Sequence, residues 1–442
     1  MTAPRLRKVT VAILSWNGRQ HLETCLTALA AQADPGVDWE ILVLDNGSTD
    51  GTAAWMRERW GSDRRIRLVE SPVNLGFCAG NNRLVAAAKG DAIALLNNDT
   101  RPEPGWLGSL VETLASSPPD VAAVSGKIVD WSGERLDFGR GLMTFDGHAF
   151  QLDFRRPLRS ARVPKAGEEL AFACGGNLLV RRASFLAAGG FDESYFAYLE
   201  DVDLGWRLWS GGERIVFAPG AVVHHRSSAT SDLLGLYNRG FLFERNAYLT
   251  AYKNYEEGLW EKILPAVMLT LLSRTQSLLL ANPGTDTLRI NPYAGHIANT
   301  GPSPHPQVVE LPPATTWEGF KVRWRGYGPR DFLHRGLRKL GVVPPPPTVS
   351  IEAPRLTDER TIAQFRALHW LTGHLDAAAE SRAAVQKRRK RSDREIFERF
   401  PAYLVPTYPG DAELFASPGF QAWLPKELPL RRVELRDIME MG

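Results

Sequence analysis

Glu40–Thr52, EILVLDNGSTDGT, decides the fold. Four consecutive apolar residues, Ile41 to Leu44, without alternation, are the pattern of a strand buried on both faces. The run stops at the Asp45 carboxylate. Gly47 and Gly51 then allow a tight turn, and Asp50 is placed to cap a helix starting at Thr52. The same unit recurs on either side. Val9–Ser15 (VTVAILS) runs into Trp16-Asn17-Gly18, and Ala92–Leu96 (AIALL) into Asn97-Asn98-Asp99-Thr100. Ile66–Glu70 reads as a further strand. The segments between carry helical spacing, clearest in Leu22, Leu26 and Leu29 of Arg19–Gln32, with Thr52–Trp60 and Asn81–Lys89 as further helices. Apolar strands separated by amphipathic helices predict a mostly parallel, Rossmann-like α/β sheet flanked by helices. Ligands of such sheets sit beyond the carboxyl ends of the strands, where the polar residues gather here.

The rest of the chain divides unequally. Residues 5–231 read as the α/β unit. Residues 232–282 read as helical, with an apolar stripe through Ile263, Leu264, Val267, Met268, Leu271 and Leu272 that either packs on the core or lies on a membrane surface. Residues 283–357 are Pro-rich and read as a linker or wrapping segment. Residues 358–442 read as a helical tail carrying the basic run Lys387–Arg391, either a solvated helix end or a binder of anionic headgroups. The 442 residues are 44% hydrophobic and 23% charged, and 53 basic against 50 acidic groups leave +3. That balance speaks against a nucleic-acid partner. Cys25, Cys78 and Cys174 form no CxxC pair and read as small buried hydrophobes of a reducing compartment. With no signal-like run, the expectation is a cytoplasmic protein; peripheral contact with the inner membrane face and homo-oligomerisation stay open.

Four clusters carry chemistry. No GxxxxGK[ST] is present and no GxGxxG follows the first strand, which speaks against a P-loop NTPase and a dinucleotide dehydrogenase. Asp45 can accept the N3–H of a uracil or thymine, or simply close a turn. Asp99, emerging from an apolar strand, suits a hard divalent cation, Mg²⁺ or Mn²⁺, shared with substrate phosphates. Glu200 and Asp201 follow the aromatic run Tyr195–Tyr198. A carboxylate beside such walls gains a raised pKa and can act as a general base, whereas the plainer reading is complementation of a helix N-terminus. Trp206 is read as an apolar platform for an acceptor sugar. His224-His225 ends another apolar run and offers a metal ligand.

Taken in order, SWN, DNGSTDG, NLGFCAGNN (Asn74–Asn82), LLNNDT (Leu95–Thr100), GGNLLVRR (Gly175–Arg182), GGFDESYFAYLEDVDLGWRL (Gly189–Leu208) and VVHHRSSAT (Val222–Thr230) resemble the family 2 glycosyltransferases of GT-A fold, in the bacterial rhamnosyltransferase-like branch. The resemblance covers roughly residues 8–231. It implies an inverting enzyme that moves a sugar from a UDP- or dTDP-sugar, dTDP-rhamnose first, to a glycan or lipid-linked acceptor. Asp45, with Ser15 and Asn17, would meet the nucleotide base. Asn74, Gly80 and Asn81 would shape the donor pocket. Asn98 and Asp99 would stand at the DxD motif, with Asp99 and His225 on the metal, and Asp201 would be the base, with Glu200 and Trp206 toward the acceptor. Asn97 departs from the strict DxD, which puts more of any metal binding on Asp99. The alternatives are a nucleotidyltransferase and a non-catalytic nucleotide-sugar-binding scaffold.

Overall fold

The computed structural model describes residues 6–226, 235–279 and 359–439 except 409, with the isolated positions 316, 317, 321 and 337. The Pro-rich segment expected over 283–357, those four positions apart, and Ser228-Ala229-Thr230 lie outside the described residues. Strands β1 (Lys8–Ser15), β2 (Asp38–Asn46), β3 (Ile66–Ser71) and β4 (Ala92–Asn97) alternate with helices α1 (Arg19–Ala30), α2 (Thr52–Trp60) and α3 (Gly76–Ala87). Then follow β5 (Thr100–Pro102), α4 (Trp106–Ser116), β6 (Val121–Asp130), β7 (Leu136–Phe138), the hairpin β8 (Gly141–Thr144) and β9 (Ala149–Gln151), β10 (Asn177–Arg181), α5 (Arg182–Ala187), α6 (Glu200–Ser210) and β11 (Arg214–His225).

The main sheet runs β3-β2-β1-β4-β10-β6-β11-β5, with β7 added on β6. β1 to β4 are parallel neighbours, and β10 enters antiparallel between β4 and β6. This is the mostly parallel, helix-flanked sheet expected of the GT-A class. Val9, Val11, Ala12, Ile13 and Ile41 to Leu44 are all fully buried, as unalternating apolar strands require when helices cover both faces. Leu22, Cys25, Leu26 and Leu29 put one face of α1 against them.

Beyond the sheet come α7 (Gly235–Asn254), α8 (Glu257–Leu279), α9 (Glu359–Thr372), α10 (Leu375–Arg388), α11 (Asp393–Arg399), β12 (Ala402–Leu404), α12 (Asp411–Ala416) and β13 (Leu430–Arg432). Ala247, Ala251, Tyr255, Trp260, Ile263 and Val267 of α7 and α8, and Phe397 and Leu404 further on, belong to the same apolar core as the main sheet. The stripe on α8 is thus mostly packed, although Leu272 is exposed. Residues 402–432 also add two strands to the helical region: β12 runs parallel to β8, and β13 beside β12. Three arginines of the basic run are used internally. Arg388 donates to the Ala187 carbonyl at 2.8 Å, Arg389 to Asp393 at 2.9 Å, and Arg391 to the Trp209 carbonyl at 2.8 Å. Arg388 and Arg391 thereby tie the tail to α5 and α6, while Lys387 and Lys390 stay exposed. Among the described residues no helix is long and apolar enough to cross a membrane.

A buried ionic cluster ties the hairpin to the later helices. His148 lies 3.2 Å from Asp146 and 3.4 Å from Glu244. Arg274 pairs with Asp146 and Asp411, and the Tyr408 hydroxyl donates to Glu244 at 2.6 Å. Burial alone would lower the His148 pKa; the Asp146 and Glu244 carboxylates outweigh it and hold it at about 9. A pKa raised on folding contributes stability that is full below the ordinary histidine value of about 6.5 and fades as pH climbs through the folded one. The expected result is a melting temperature that falls as pH is raised from 7 to 10, and a flatter profile for His148→Gln, read by differential scanning fluorimetry.

Candidate active site

Register brings the polar strand ends together: Ser15 stands opposite Asp45, and Leu14 opposite Asn97. Beyond them opens a cavity of about 370 Å³, whose walls include Trp16, Asn46, Asn74, Asn98, Asp99, Glu200, Asp201 and His225. Its loops are laced by short-range bonds. The Asn17 amide donates to Ser48 Oγ at 2.8 Å, and the Thr49 amide to Asn17 Oδ1 at 2.8 Å. Asn98 Nδ2 donates to Ser15 Oγ at 3.0 Å, and the Ser48 amide to Asp45 Oδ1 at 3.2 Å. Asn46 Nδ2 donates to Asn74 Oδ1 at 2.9 Å, fixing two of the asparagines that face the cavity. Gly47 has φ +78°, and a Cβ there would fall 2.5 Å from the Val73 backbone, so only glycine lets β2 turn this close to the next loop.

Of the residues singled out in the sequence, Asn74, Asn98, Asp99, Glu200, Asp201 and His225 line the cavity. Ser15, Asn17 and Asp45 lie beside it, in the loops that border it, and the buried Asn46, next to Asp45, is among its lining residues. Gly80 and Asn81 point elsewhere. A Cβ on Gly80 would lie 2.6 Å from Leu14, and Asn81 is buried with its amide on the Phe77 carbonyl at 2.9 Å. Trp206 is not a sugar platform. It is 1% exposed, with its ring centroid 4.9 Å from Phe397 and 5.3 Å from Tyr255.

Asp99 and His225 face each other because β11 pairs with β5, His225 opposite Thr100. His225 Nε2 lies 3.3 Å from Asp99 Oδ1, and Nδ1 lies 2.7 Å from Asp137 Oδ2. Burial disfavours the imidazolium, but the hydrogen bonds and charges of Asp137 and Asp99 hold the pKa up at about 10. Burial likewise works to raise the Asp99 pKa, and His225 outweighs it, holding the carboxyl below its ordinary range. His224, its neighbour on an alternating strand, points away to Glu103 at 3.3 Å. Asp137 is the partner that sequence reading missed; it reaches His225 only through the pairing of β7 with β6. A carboxylate and an imidazole whose second nitrogen is fixed by another carboxylate suit Mg²⁺ or Mn²⁺ chemically. Among the described residues no group of three or more His, Cys, Asp or Glu could hold an ion unaided, so the remaining ligands would be substrate oxygens or water.

Asp201 lies in the first turn of α6. The loop before it is strained: Phe196, Tyr198 and Leu199 have φ of 65°, 70° and 62°, a region that side chains rarely adopt. Helix α7 holds it there. Asn246 Nδ2 donates to the carbonyls of Tyr195, Ala197 and Tyr198 at 3.1, 2.8 and 2.7 Å, and Arg245 to that of Tyr195 at 2.7 Å. The three acids of this turn have separate fates. Asp203 is fully buried and paired with Arg207 and Lys253 at 2.8 and 3.0 Å. Glu200 is pushed well up by burial and then by the charge of Asp201. Asp201 accepts the Gly175 amide at 3.1 Å and that of Val202 at 2.8 Å; burial raises its pKa in spite of those bonds. The site thus places a basic carboxylate across one cavity from an Asp–His pair.

The chain matches known proteins over this same region. The family model "Glycosyl transferase family 2" matches residues 10–187. The N-acetylglucosaminyl-diphospho-decaprenol L-rhamnosyltransferase of Mycobacterium tuberculosis is 33% identical over 241 residues, 50% of this chain and 76% of that protein. The O-antigen biosynthesis protein RfbC of Myxococcus xanthus is 30% identical over 234 residues, 50% of this chain and 18% of that one. Among solved structures, that of GalNAc-T7 with UDP, GalNAc and Mn²⁺ superposes with a TM-score of 0.45 at 14% identity, covering 63% of this chain and 52% of that one; nothing in the assignment of residues rests on so loose a likeness. The sequence match to the rhamnosyltransferase over three quarters of its length, with the family model inside the same strands and loops, leaves one conclusion: the chain belongs to glycosyl transferase family 2, is rhamnosyltransferase-like, and is a glycosyltransferase.

Proposed function

We propose that the chain transfers a sugar, rhamnose first among candidates, from a dTDP- or UDP-sugar to a hydroxyl of a lipid-linked glycan acceptor, with inversion at the anomeric carbon. One observation carries this reading: the Asp201 carboxylate stands at the cavity that also holds Asp99 and His225. The acceptor class is supported by the name of the mycobacterial relative. In this reading Asp45, at the end of β2, meets the pyrimidine base, while Asn46 and Asn74 orient the nucleoside. Asp99 and His225 hold a divalent cation, which when bound would offset the charge growing on the leaving diphosphate. Glu200, whose pKa burial and the Asp201 charge push up, lines the same cavity beside the base. Asp201 takes the proton of that hydroxyl as its oxygen attacks from the face opposite the nucleotide. The two backbone amides on Asp201 fix its direction before substrate arrives, so no reorganisation is needed at the moment of reaction.

Thermal-shift titration with UDP, dTDP, GDP and CDP, with and without Mn²⁺, tests the donor half. A ligand that binds only the folded state raises the melting temperature. Metal-dependent stabilisation by UDP or dTDP alone is the expected result; equal shifts with all four, or none, would overturn it. The base assignment predicts a pH profile. Because folding raises the Asp201 pKa, its base form is lost as pH falls through a value above the ordinary carboxylate range. The acid limb of kcat/KM is therefore expected above about pH 4, where an exposed Asp would place it.

A further inference from the structure

A second cavity, of about 320 Å³, meets the first at Asp201, Cys174 and Leu199. Its character is different. Aromatic rings make most of its walls: Phe138 and Phe172 lie 6.0 Å apart on one side, and Phe150 and Phe243 lie 6.1 Å apart, edge to face, on another. Among the described residues that line it, Asp201 and Gln151 bring the polar side chains beside the Cys174 thiol, and none is a lysine, arginine or histidine. Its last wall comes from far along the chain. Ile438 and Met439 close it, strapped to the rim where the Phe154 amide donates to the Ile438 carbonyl at 3.3 Å and Phe154 bridges to Met439.

We propose that this cavity is the acceptor subsite, that it takes one uncharged sugar ring stacked on its phenylalanines with a hydroxyl turned to Asp201, and that residues 438–439 are the wall that selects that ring. The inference rests on the transferase reading above and adds to it the chemistry of what is bound. Ring faces of a sugar are apolar and suit aromatic walls, while a diphosphate finds no cation among the lining side chains. The volume is at the lower end of ligand pockets, roughly 300–1,000 Å³, enough for a ring and too little for a long hydrocarbon. Asp201 is shared by the two cavities, so a hydroxyl held in this one is on the far side of the base from Asp99 and His225.

The test uses the full chain and a panel of octyl glycosides (glucoside, N-acetylglucosaminide, galactoside and rhamnoside) observed by saturation-transfer NMR. Ring protons of at least one glycoside are expected to saturate. Gln151→Trp, which fills the cavity from β9, and Met439→Trp, which narrows it from the opposite wall, are each expected to weaken that contact by about tenfold or more. Dissociation constants for UDP and dTDP with Mn²⁺ serve as the control and are expected to stay within about twofold of wild type. Melting curves identify either variant that fails to fold, and the other then carries the test. Saturation confined to the octyl chains, or ring contacts that survive in a folded filling variant, would overturn the proposal. If nucleotide binding is intact in the wild-type chain when this happens, the donor reading stands and only the acceptor subsite falls. Absence of nucleotide binding in the wild type would strike the transferase reading itself.

Discussion

Asp201→Asn is expected to lower sugar transfer by about 10²–10⁴-fold, the range that general-base catalysis contributes, while nucleotide affinity changes little. The substitution keeps size and shape. An amide oxygen can still accept one of the two backbone amides that hold the carboxylate. What it cannot do is take a proton at neutral pH. Donor binding is expected to persist because the groups proposed to hold the diphosphate, Asp99 and His225, are paired with each other and with Asp137 and not with Asp201. Initial rates with labelled donor, beside calorimetric titration of the nucleotide, separate the two effects. A variant that loses nucleotide affinity and rate in parallel would mean that Asp201 belongs to the donor site instead.

Asn246→Ala is expected to destabilise the fold by about 2–5 kcal/mol and to depress kcat in the material that still folds. Asn246 is fully buried and its amide reaches three carbonyls of the strained loop that leads into Asp201. Truncation leaves Ala197 and Tyr198 without that donor, at about 1–3 kcal/mol for each buried acceptor left unsatisfied. The left-handed backbone at residues 196, 198 and 199 then loses what holds it, and it has an extended conformation to relax into. Urea titration measures the first effect. The second shows as a fall in kcat with a rise in donor KM, since Phe196, Ala197 and Tyr198 line the same cavity as Asn74, Asp99 and His225. Asn246→Asp, which keeps the shape but brings no amide donor, is expected to behave like the alanine variant.

The strand ends were legible because the signal there is local: an apolar run, a sudden carboxylate, and glycines at the turn. That was enough to read β1, β2 and β4 as strands ending in polar clusters; that Asp99, Asp201 and His225 belong to one site came from the resemblance of the ordered motifs to a family. The misreadings have physical causes. Trp206 follows Asp201 by five residues on a helix, which at 3.6 residues per turn puts it about 140° around the axis; a base facing a cavity therefore sends that tryptophan toward the core. Gly80 and Asn81 sit on the face of α3 that meets β1, where a glycine lets Leu14 approach. Asp137 and Met439 left no trace in the sequence, because each acts through a contact with a segment far away along the chain. Nor did periodicity reveal β12 and β13, three residues each, whose place depends on a hairpin formed some 250 residues earlier.

That last pairing has a consequence for how the protein is made. β12 joins β8 across a long stretch of intervening chain, and contacts of such separation form late and slowly. Strands β1 to β3 find their strand partners within the first hundred residues and can assemble while synthesis continues, whereas β4 waits also for β10. The aromatic cavity cannot be closed until residues 438–439 have left the ribosome. An interrupted chain would thus leave Phe154 without its bridge to Met439, a surface for chaperones and proteases. Synthesis thereby orders the two regions: the strand ends proposed to meet the nucleotide come first, and the cavity proposed to admit the acceptor is finished last.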